Sequence, residues 1–317
     1  MKQIKILSLL LGLLVALTAV AGDKEKEKEF RMAAAIGDNE TIEQLLDEGV
    51  DVNTANKFGK TALMMAVEGD NIDTVALLLA RGASINARTV AGCTALTFAA
   101  ENGHIGITAM LLESGANLHD RTRAGWDSLM IASRYGIDDM VDQLLFKGAD
   151  PKASDKDGRT ALMMAAEKGH ASTIERLVKG GAEVNSRDKQ GSTALIVAAE
   201  KGHVDCIEVL LKNGADIDAV DNDGATALIW AVSQGRLDAI KTLIEHGADV
   251  NKADQDGVTP LMEAVTNGDE KIVELILNRG ADPSSKDAKG RTAADIAKKK
   301  GFKKILEWLK HPPAEKQ

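Results

Sequence analysis

The sequence is poor in aromatic residues and contains none of the common catalytic motifs. Only 3% of its 317 residues are Phe, Trp or Tyr, although 44% are hydrophobic and 27% are charged, as in a globular protein. No phosphate loop, zinc-protease helix, nucleophile elbow or dinucleotide fingerprint is present. The sequence therefore predicts a thin core and does not indicate an enzyme.

Positive charge is also in deficit. The 39 Lys and Arg residues stand against 48 Asp and Glu residues, which gives a formal net charge of -9 at pH 7. Proteins that bind nucleic acids usually present a basic surface that replaces the counterions of the phosphates. A nucleic-acid partner is therefore not expected.

Long apolar runs are absent except at the N-terminus. Lys2 and Lys5 precede an apolar run from Ile6 to Val20, and Ala19-Val20-Ala21 has the small-x-small pattern of a cleavage site. The alternative, an uncleaved membrane anchor, needs about 20 apolar residues, and this run is shorter. We expect a signal peptide over residues 1–21, cleaved after Ala21, and export to the periplasm or secretion without stable membrane insertion.

The rest of the sequence is a repeat with a period of 33 residues. Each unit has a Thr or Asp where a helix N-cap belongs, and Leu and Ala follow it at helical spacing. Paired aliphatic residues mark a second helix, and Gly recurs between the helices, after the second helix and before the Thr. The N-cap positions are Thr61, Thr94, Asp127, Thr160, Thr193, Thr226, Thr259 and Thr292.

A unit of this kind cannot bury its apolar face alone, so it is stable only when it stacks on its neighbours. We expect an all-α stack of helix-turn-helix units with short β-hairpin loops over residues 29–311. It would contain seven full repeats between an N-terminal and a C-terminal cap. Residues 22–28 are expected to form a charged flexible leader and residues 312–317 a tail.

The repeat resembles the ankyrin repeat. The pattern Gly-x-Thr-Ala-Leu-x-x-Ala-Ala-x-x-Gly-His from Gly191 to His203, followed by Leu210-Leu211-x-x-Gly-Ala-Asp, matches that family, and units in phase with it extend from about Lys24 to His311. The family's Thr-Pro-Leu-His motif has lost its His in every unit, and Asp70 replaces the inter-helix Gly of the other units. The resemblance implies a solenoid that binds proteins.

The histidines and cysteines do not indicate a metal or cofactor site. His104, His170 and His203 share one repeat position, and successive repeats would hold them about 10 Å apart, too far to share a zinc ion. We expect them to cap helices. Cys93 and Cys206 should lie about 30 Å apart, too far for a disulfide. Cys206 fills an apolar position, whereas Cys93 at a hairpin tip is either an idle thiol or a site for a mixed disulfide with a partner.

The resemblance also implies a protein-binding surface built from the hairpin tips and the exposed side of each first helix. Carried over by register, its N-terminal half is rich in aromatic and cationic residues, the types that dominate interface energies. Arginines on an acidic protein suggest a partner with an acidic patch. The candidate partner-binding residues are Phe58, Arg88, Arg121, Arg123, Trp126, Arg134, Tyr135 and Arg159.

Alternatives remain open for these residues and for the whole chain. Trp126 and Tyr135 could simply pack on each other, while Trp230 and Trp308 are predicted core residues. A protein-binding adaptor, an effector secreted to act on a host protein, and an enzyme built on the repeat face are all compatible with the sequence. The enzyme would need a pair of titratable groups with strongly perturbed pKa values in a concave site.

Overall fold

The computed structural model describes residues 22–311. The signal peptide predicted over residues 1–21 and the tail over 312–317 lie outside this range. Within it the chain forms helices in nine consecutive pairs and no extended strand, so the predicted all-α class is confirmed. The helices are α1 (22–36), α2 (Asn39–Asp47), α3 (Ala62–Glu68), α4 (Ile72–Ala80), α5 (Ala95–Asn102), α6 (Ile105–Glu113), α7 (Ser128–Tyr135), α8 (Asp138–Phe146), α9 (Ala161–Lys168), α10 (Ala171–Lys179), α11 (Ala194–Lys201), α12 (Val204–Lys212), α13 (Ala227–Ser233), α14 (Leu237–Glu245), α15 (Pro260–Asn267), α16 (Glu270–Asn278), α17 (Ala293–Lys300) and α18 (Lys303–Lys310).

The chain divides into two compact units. The first comprises the described residues up to Ala132 together with Asp142–Ala149, and the second comprises Ser133–Val141 and the described residues from Asp150 onward. In the first unit α3 packs against α4 and α5, and in the second α11 packs against α9, α12 and α13. In these contacts a first helix packs against its own second helix and against the first helix of a neighbouring repeat.

The first helices begin at the predicted N-caps. Thr160 has an extended backbone and its hydroxyl accepts a hydrogen bond from the backbone N–H of Met163, which satisfies one of the free donors of the first turn. Asp127 does the same with its carboxylate, which accepts from Met130 N at 2.9 Å. The N-cap role predicted for these recurring residues is confirmed.

In two units, the residue at the position of the family motif's histidine forms a helix-capping hydrogen bond. Thr97 and Asp295 stand at that position, and their side-chain oxygens accept from the backbone N–H of Thr94 at 2.8 Å and of Thr292 at 2.9 Å. Each completes a capping box, in which both ends of the first turn are satisfied reciprocally. The local hydrogen bond is therefore restored by different chemistry at these two positions.

Residues 22–28, for which we expect a flexible leader, instead belong to helix α1. The alternating Lys and Glu residues pair at helical spacing, as in Lys28–Glu25 at 2.9 Å. Lys26 also reaches Glu48 at 2.9 Å, beyond the end of α2. The charge alternation thus stabilises a helix and ties it to the first unit.

The departure at Asp70 has a steric cause. Asp70 takes the left-handed conformation (φ 56°) that Gly adopts in most other units. A Cβ at Gly69 would lie 2.5 Å from the carbonyl oxygen of Ala35, so Gly is needed one residue earlier. Asp70 tolerates the positive φ better than most residues do, and its carboxylate lies 3.1 Å from His104 Nδ1.

The three repeated histidines connect consecutive repeats. Each occupies the N-cap position of a second helix, but none makes a side-chain capping bond there. Instead, Nε2 of His170 lies 3.2 Å from the carbonyl oxygen of Arg134, and Nε2 of His203 lies 3.1 Å from that of Glu167. His170 and His203 thus cap the last turn of the preceding repeat's first helix and not their own second helix. The ring of His104 instead contacts the carboxylate of Asp70.

Ser133 is a weak point in the repeat core. It is fully buried, and its hydroxyl has no hydrogen-bond partner within the described residues. The equivalent residues are Val67, Ala100, Ala166, Ala199, Val232 and Val265, and the exposed Lys298 in the last unit. A buried unsatisfied hydroxyl costs about 1–3 kcal/mol.

Ser133→Ala is therefore expected to raise the free energy of unfolding by about 1 kcal/mol, measured by urea titration with circular dichroism. Ser114→Ala, at an exposed position, is the control and should have little effect. A Ser133→Ala protein that is no more stable than the original would show that the hydroxyl is satisfied.

Candidate functional site

The hairpin tips of successive repeats are joined by backbone hydrogen bonds. Within each unit a tip accepts a hydrogen bond from the backbone N–H of the next tip, as the Phe58 carbonyl oxygen does from Val90 N at 2.8 Å. Gly59 is required here, because a Cβ on its left-handed backbone would lie 3.1 Å from Thr89 Cα. The other bonds within the two units are Arg123 N to Ala91 O, Lys189 N to Asp157 O, Asn222 N to Gln190 O, Gln255 N to Asp223 O, and Ala288 N to Asp256 O.

In the first unit, three candidate residues are well exposed. The side chain of Phe58 is 61% exposed, and Lys57 Nζ lies 5.0 Å from its ring centroid. Arg88 and Arg123 are also exposed, whereas Arg121 and Trp126 are only partly exposed. The register therefore identified a tip with an accessible aromatic ring and accessible cations.

Two arginines of the first unit are held by carboxylates of the protein itself. Arg88 lies 3.7 Å from Asp120 and donates to the carbonyl oxygen of Arg121, and Arg121 lies 3.9 Å from Asp127. Burial raises the pKa of Asp127, while its bond to Met130 N and the charge of Arg121 oppose that rise. Part of the positive charge at this tip is thus neutralised within the unit.

In the second unit, Arg134 and Arg159 converge on Glu167. Arg134 lies 3.5 Å from the carboxylate, Lys168 lies 3.0 Å from it, and Arg159 donates a short hydrogen bond to it. Burial opposes the ionisation of Glu167, but the hydrogen bonds and charges of Arg159 and Lys168 outweigh it and lower its pKa to about 2. Tyr135 is 50% exposed. Of the candidates in this unit, Tyr135 is the most accessible.

The fourth residue after the N-cap, a position that the register of candidate residues omitted, is partly exposed in some repeats, as at Trp230 and Glu263. The sequence predicts core positions for Trp230 and Trp308, but both are partly exposed. Trp230 lines a cleft of about 400 Å³ with Glu263, its equivalent in the next repeat. Glu263, a charged residue among apolar equivalents, was the signal available in the sequence.

A second cavity, of about 910 Å³, lies in the first unit between α1 and the first hairpin. Its apolar lining includes Met32, Phe58 and Met65, and its charged lining includes Lys28 and Arg31. The sequence did not reveal it because one wall is formed by residues for which a flexible leader is expected.

The described residues show no arrangement suited to a metal ion. Within 22–311, no three His, Cys, Asp or Glu side chains are grouped closely enough to hold one. Cys93 is partly exposed and Cys206 is buried, and both are free thiols. Burial, with a smaller contribution from Asp205, raises the pKa of Cys206 to about 12, so this thiol packs as an apolar group.

None of the helices within residues 22–311 combines the length and the apolar character needed to cross a membrane.

Comparison with known proteins identifies the repeat. No curated protein matches the chain. The family model described as ankyrin repeats (3 copies) matches residues 30–122, 129–221, 216–287 and 252–317, which together cover most of the chain. Helix pairs, hairpin tips and N-caps at the matched positions agree with that model. The chain therefore belongs to the ankyrin-repeat family.

Proposed function

We propose that this protein is an exported, non-enzymatic scaffold that binds a protein partner through its hairpin tips and first helices. Ankyrin repeats are generally protein–protein interaction modules. The observation that carries the proposal for this chain is the exposed aromatic and cationic group at the first hairpin tips, Phe58 with Lys57 and Arg123. Exposed aromatics and arginines are the residues that most often dominate binding energy.

The cations of the candidate surface that have no carboxylate neighbour in the protein indicate which charge the partner's surface should carry. Arg88, Arg121, Arg134 and Arg159 have carboxylate neighbours in the protein, so they contribute less to an external partner than the sequence suggests. Lys57 and Arg123 make no ion pair with any described residue. We propose that Lys57, beside Phe58, and Arg123, two hairpin tips further along, contact an acidic patch of the partner.

The binding proposal predicts the behaviour of two matched variants. Phe58→Ala/Arg123→Ala should reduce partner capture at least about tenfold, because truncating hot-spot residues costs about 1–2 kcal/mol or more. Phe146→Ala is the control, since Phe146 is 88% exposed but belongs to the second helix of its repeat. Capture is measured from periplasmic extract by quantitative mass spectrometry, and the partner is then purified for titration.

Either of two results would count against this surface. Equal capture by the double variant and the original would move the interface elsewhere, and loss of capture by Phe146→Ala would assign it to the second helices. Tyr135→Ala, tested separately, examines the second unit. Thermal unfolding of each bait excludes loss of fold as the cause.

Export is proposed from the basic start, apolar run and small-x-small site of residues 1–21. Mass spectrometry of the protein recovered from cell fractions should find a mature N-terminus at Gly22 in the periplasm. A processed protein in the medium that captures nothing from extract would favour the alternative, an effector that binds a host protein. A full-length cytoplasmic protein would contradict export.

A catalytic role has little support at the candidate surface. The most strongly shifted carboxyl there, Glu167, is held ionised by cations, with a pKa of about 2, so it cannot exchange protons usefully near neutral pH. Ion-pair networks perturb pKa values in the same direction without any catalytic role. These observations favour a scaffold over an enzyme.

A further inference from the structure

The cleft beside Trp230, in the second unit, is unusual in its charge. It lies between two consecutive hairpin tips and the first helices α13 and α15, and it encloses about 400 Å³. Four carboxylates line it, namely Asp223, Asp254, Asp256 and Glu263, and no Lys, Arg or His does. A concave, partly apolar wall with charge of one sign concentrates ions of the opposite sign.

The aromatic floor of the cleft is fixed in place. The indole Nε1 of Trp230 donates to Asp221 Oδ2 at 2.7 Å. Asp221 is itself buried, and its other oxygen accepts from the backbone N–H of Asp223 at 3.0 Å and of Ala225 at 2.9 Å. One edge of the ring is thus anchored to a buried carboxylate, while the side chain as a whole remains partly exposed.

Most of the rim carboxylates are not used by the fold. Asp254 holds its own turn, because its carboxylate accepts from Asp256 N and Val258 N, both at 2.9 Å. By contrast, the carboxylates of Asp223, Asp256 and Glu263 make no hydrogen bond or ion pair with any other side chain within residues 22–311. Glu167, on another first helix of the same unit, is surrounded by three cations. The negative charge of the Trp230 cleft is therefore available to a ligand.

We infer that the Trp230 cleft binds an arginine or lysine side chain from a basic segment of the protein partner. A guanidinium group stacked on the indole face is attracted by the ring and by the surrounding carboxylates. The long aliphatic stem of the same residue packs on the apolar wall formed by Ala225 and Ile229. This inference rests on the proposed scaffold function, because the occupant is a segment of a bound protein.

The test uses the purified full chain and a synthetic peptide of repeated Arg-Gly-Ser triplets as the probe. Binding is followed by isothermal titration and by tryptophan fluorescence, and a peptide with Glu in place of Arg is the negative probe. Asp256→Asn/Glu263→Gln should weaken Arg-peptide binding about tenfold, because two carboxylates facing the cation are lost. Glu208→Gln/Glu245→Gln makes the same charge change at exposed positions outside the cleft and should change binding less than about twofold.

A further variant tests the ring. Trp230→Leu should also weaken binding of the Arg peptide at least about fivefold, since it removes the cation–π contact. Thermal unfolding of this variant shows whether the fold is kept. Equal weakening by the two charge variants would mean non-specific attraction and would overturn the inference. Spermine that binds as tightly as the peptide and displaces it would overturn the assignment to a protein segment.

This result is separable from the test of the scaffold function. Failure of the Arg peptide to bind, while the partner is still captured through Phe58 and Arg123, overturns the cleft and leaves the scaffold intact. Cleft-dependent peptide binding supports the inference at Trp230 even if the Phe58 surface captures no partner, which would contradict only the interface proposed in the first unit.

Discussion

Leu162→Ala is expected to lower the free energy of unfolding by about 2–5 kcal/mol. Leu162 is 1% exposed and lies in α9, which packs against α10 in its own repeat and α11 in the next. Removing its branched end leaves a cavity, and the closely packed helices around it can fill that cavity only in part. Because each repeat is stabilised by the next, the loss also weakens adjacent repeats.

The measurement is urea unfolding followed by circular dichroism, with Phe146→Ala as the matched control. The Phe146 side chain is 88% exposed, so its truncation should change stability by no more than about 0.5 kcal/mol. If Leu162→Ala were as mild as Phe146→Ala, the recurring Leu would not be a core position. A transition with two steps would show the two units unfolding separately, and the loss should then appear in the second.

The repeating features of the fold were accessible to sequence reasoning because each one appears many times. A single Thr before an apolar residue is weak evidence for a helix start, but the same residue at Thr61, Thr94 and five later positions in steps of 33 or 66 is strong evidence. Leu162 and its equivalents are buried for the same reason. Averaging over units removes the ambiguity of a local signal.

Pairs between long charged side chains were the features that sequence reasoning missed. Lys26 of α1 reaches Glu48, and Arg159 is neutralised by Glu167, eight residues along the chain, as Lys60 is by Glu68. The 33-residue period does not identify these partners, since they depend on where long side chains lie in the folded state. The register predicted which residues face the surface but not which of their charges remain available.

The Trp230 cleft was predictable from the sequence only in part. Trp230 and Glu263 occupy the same position in consecutive repeats, so their proximity could have been read from the 33-residue spacing. The spacing could not have predicted that Trp230 and Glu263 are partly exposed, because the equivalent residues Ile131 and Met164 are buried. Apolar register alone therefore assigned the Trp to the core, whereas the indole N–H is satisfied by Asp221 at the edge of a solvent-accessible cleft.

Glu167→Gln is expected to destabilise the protein by about 1–2 kcal/mol at pH 7, after allowance for solvent screening at a side chain that is 19% exposed. The carboxyl has a pKa near 4.5 when unfolded and about 2 when folded, because Arg159 and Lys168 stabilise its charge. A folded-state pKa that is lowered stabilises the native state above the unfolded pKa. That contribution is lost as the pH falls from about 4.5 towards 2.

The difference in unfolding free energy between Glu167→Gln and the original protein should therefore be constant near neutral pH and should shrink between about pH 4.5 and 2. Glu200→Gln is the matched control, since Glu200 has the same repeat position but pairs only with Lys201, at 2.7 Å, on the surface. Its effect should stay within the ~0–1 kcal/mol of an exposed pair. A Glu167→Gln effect that does not change with pH would mean that packing, and not the charge shared with Arg134, Arg159 and Lys168, is what this carboxylate contributes. In that case those cations would be less firmly held by the protein and more available to a partner.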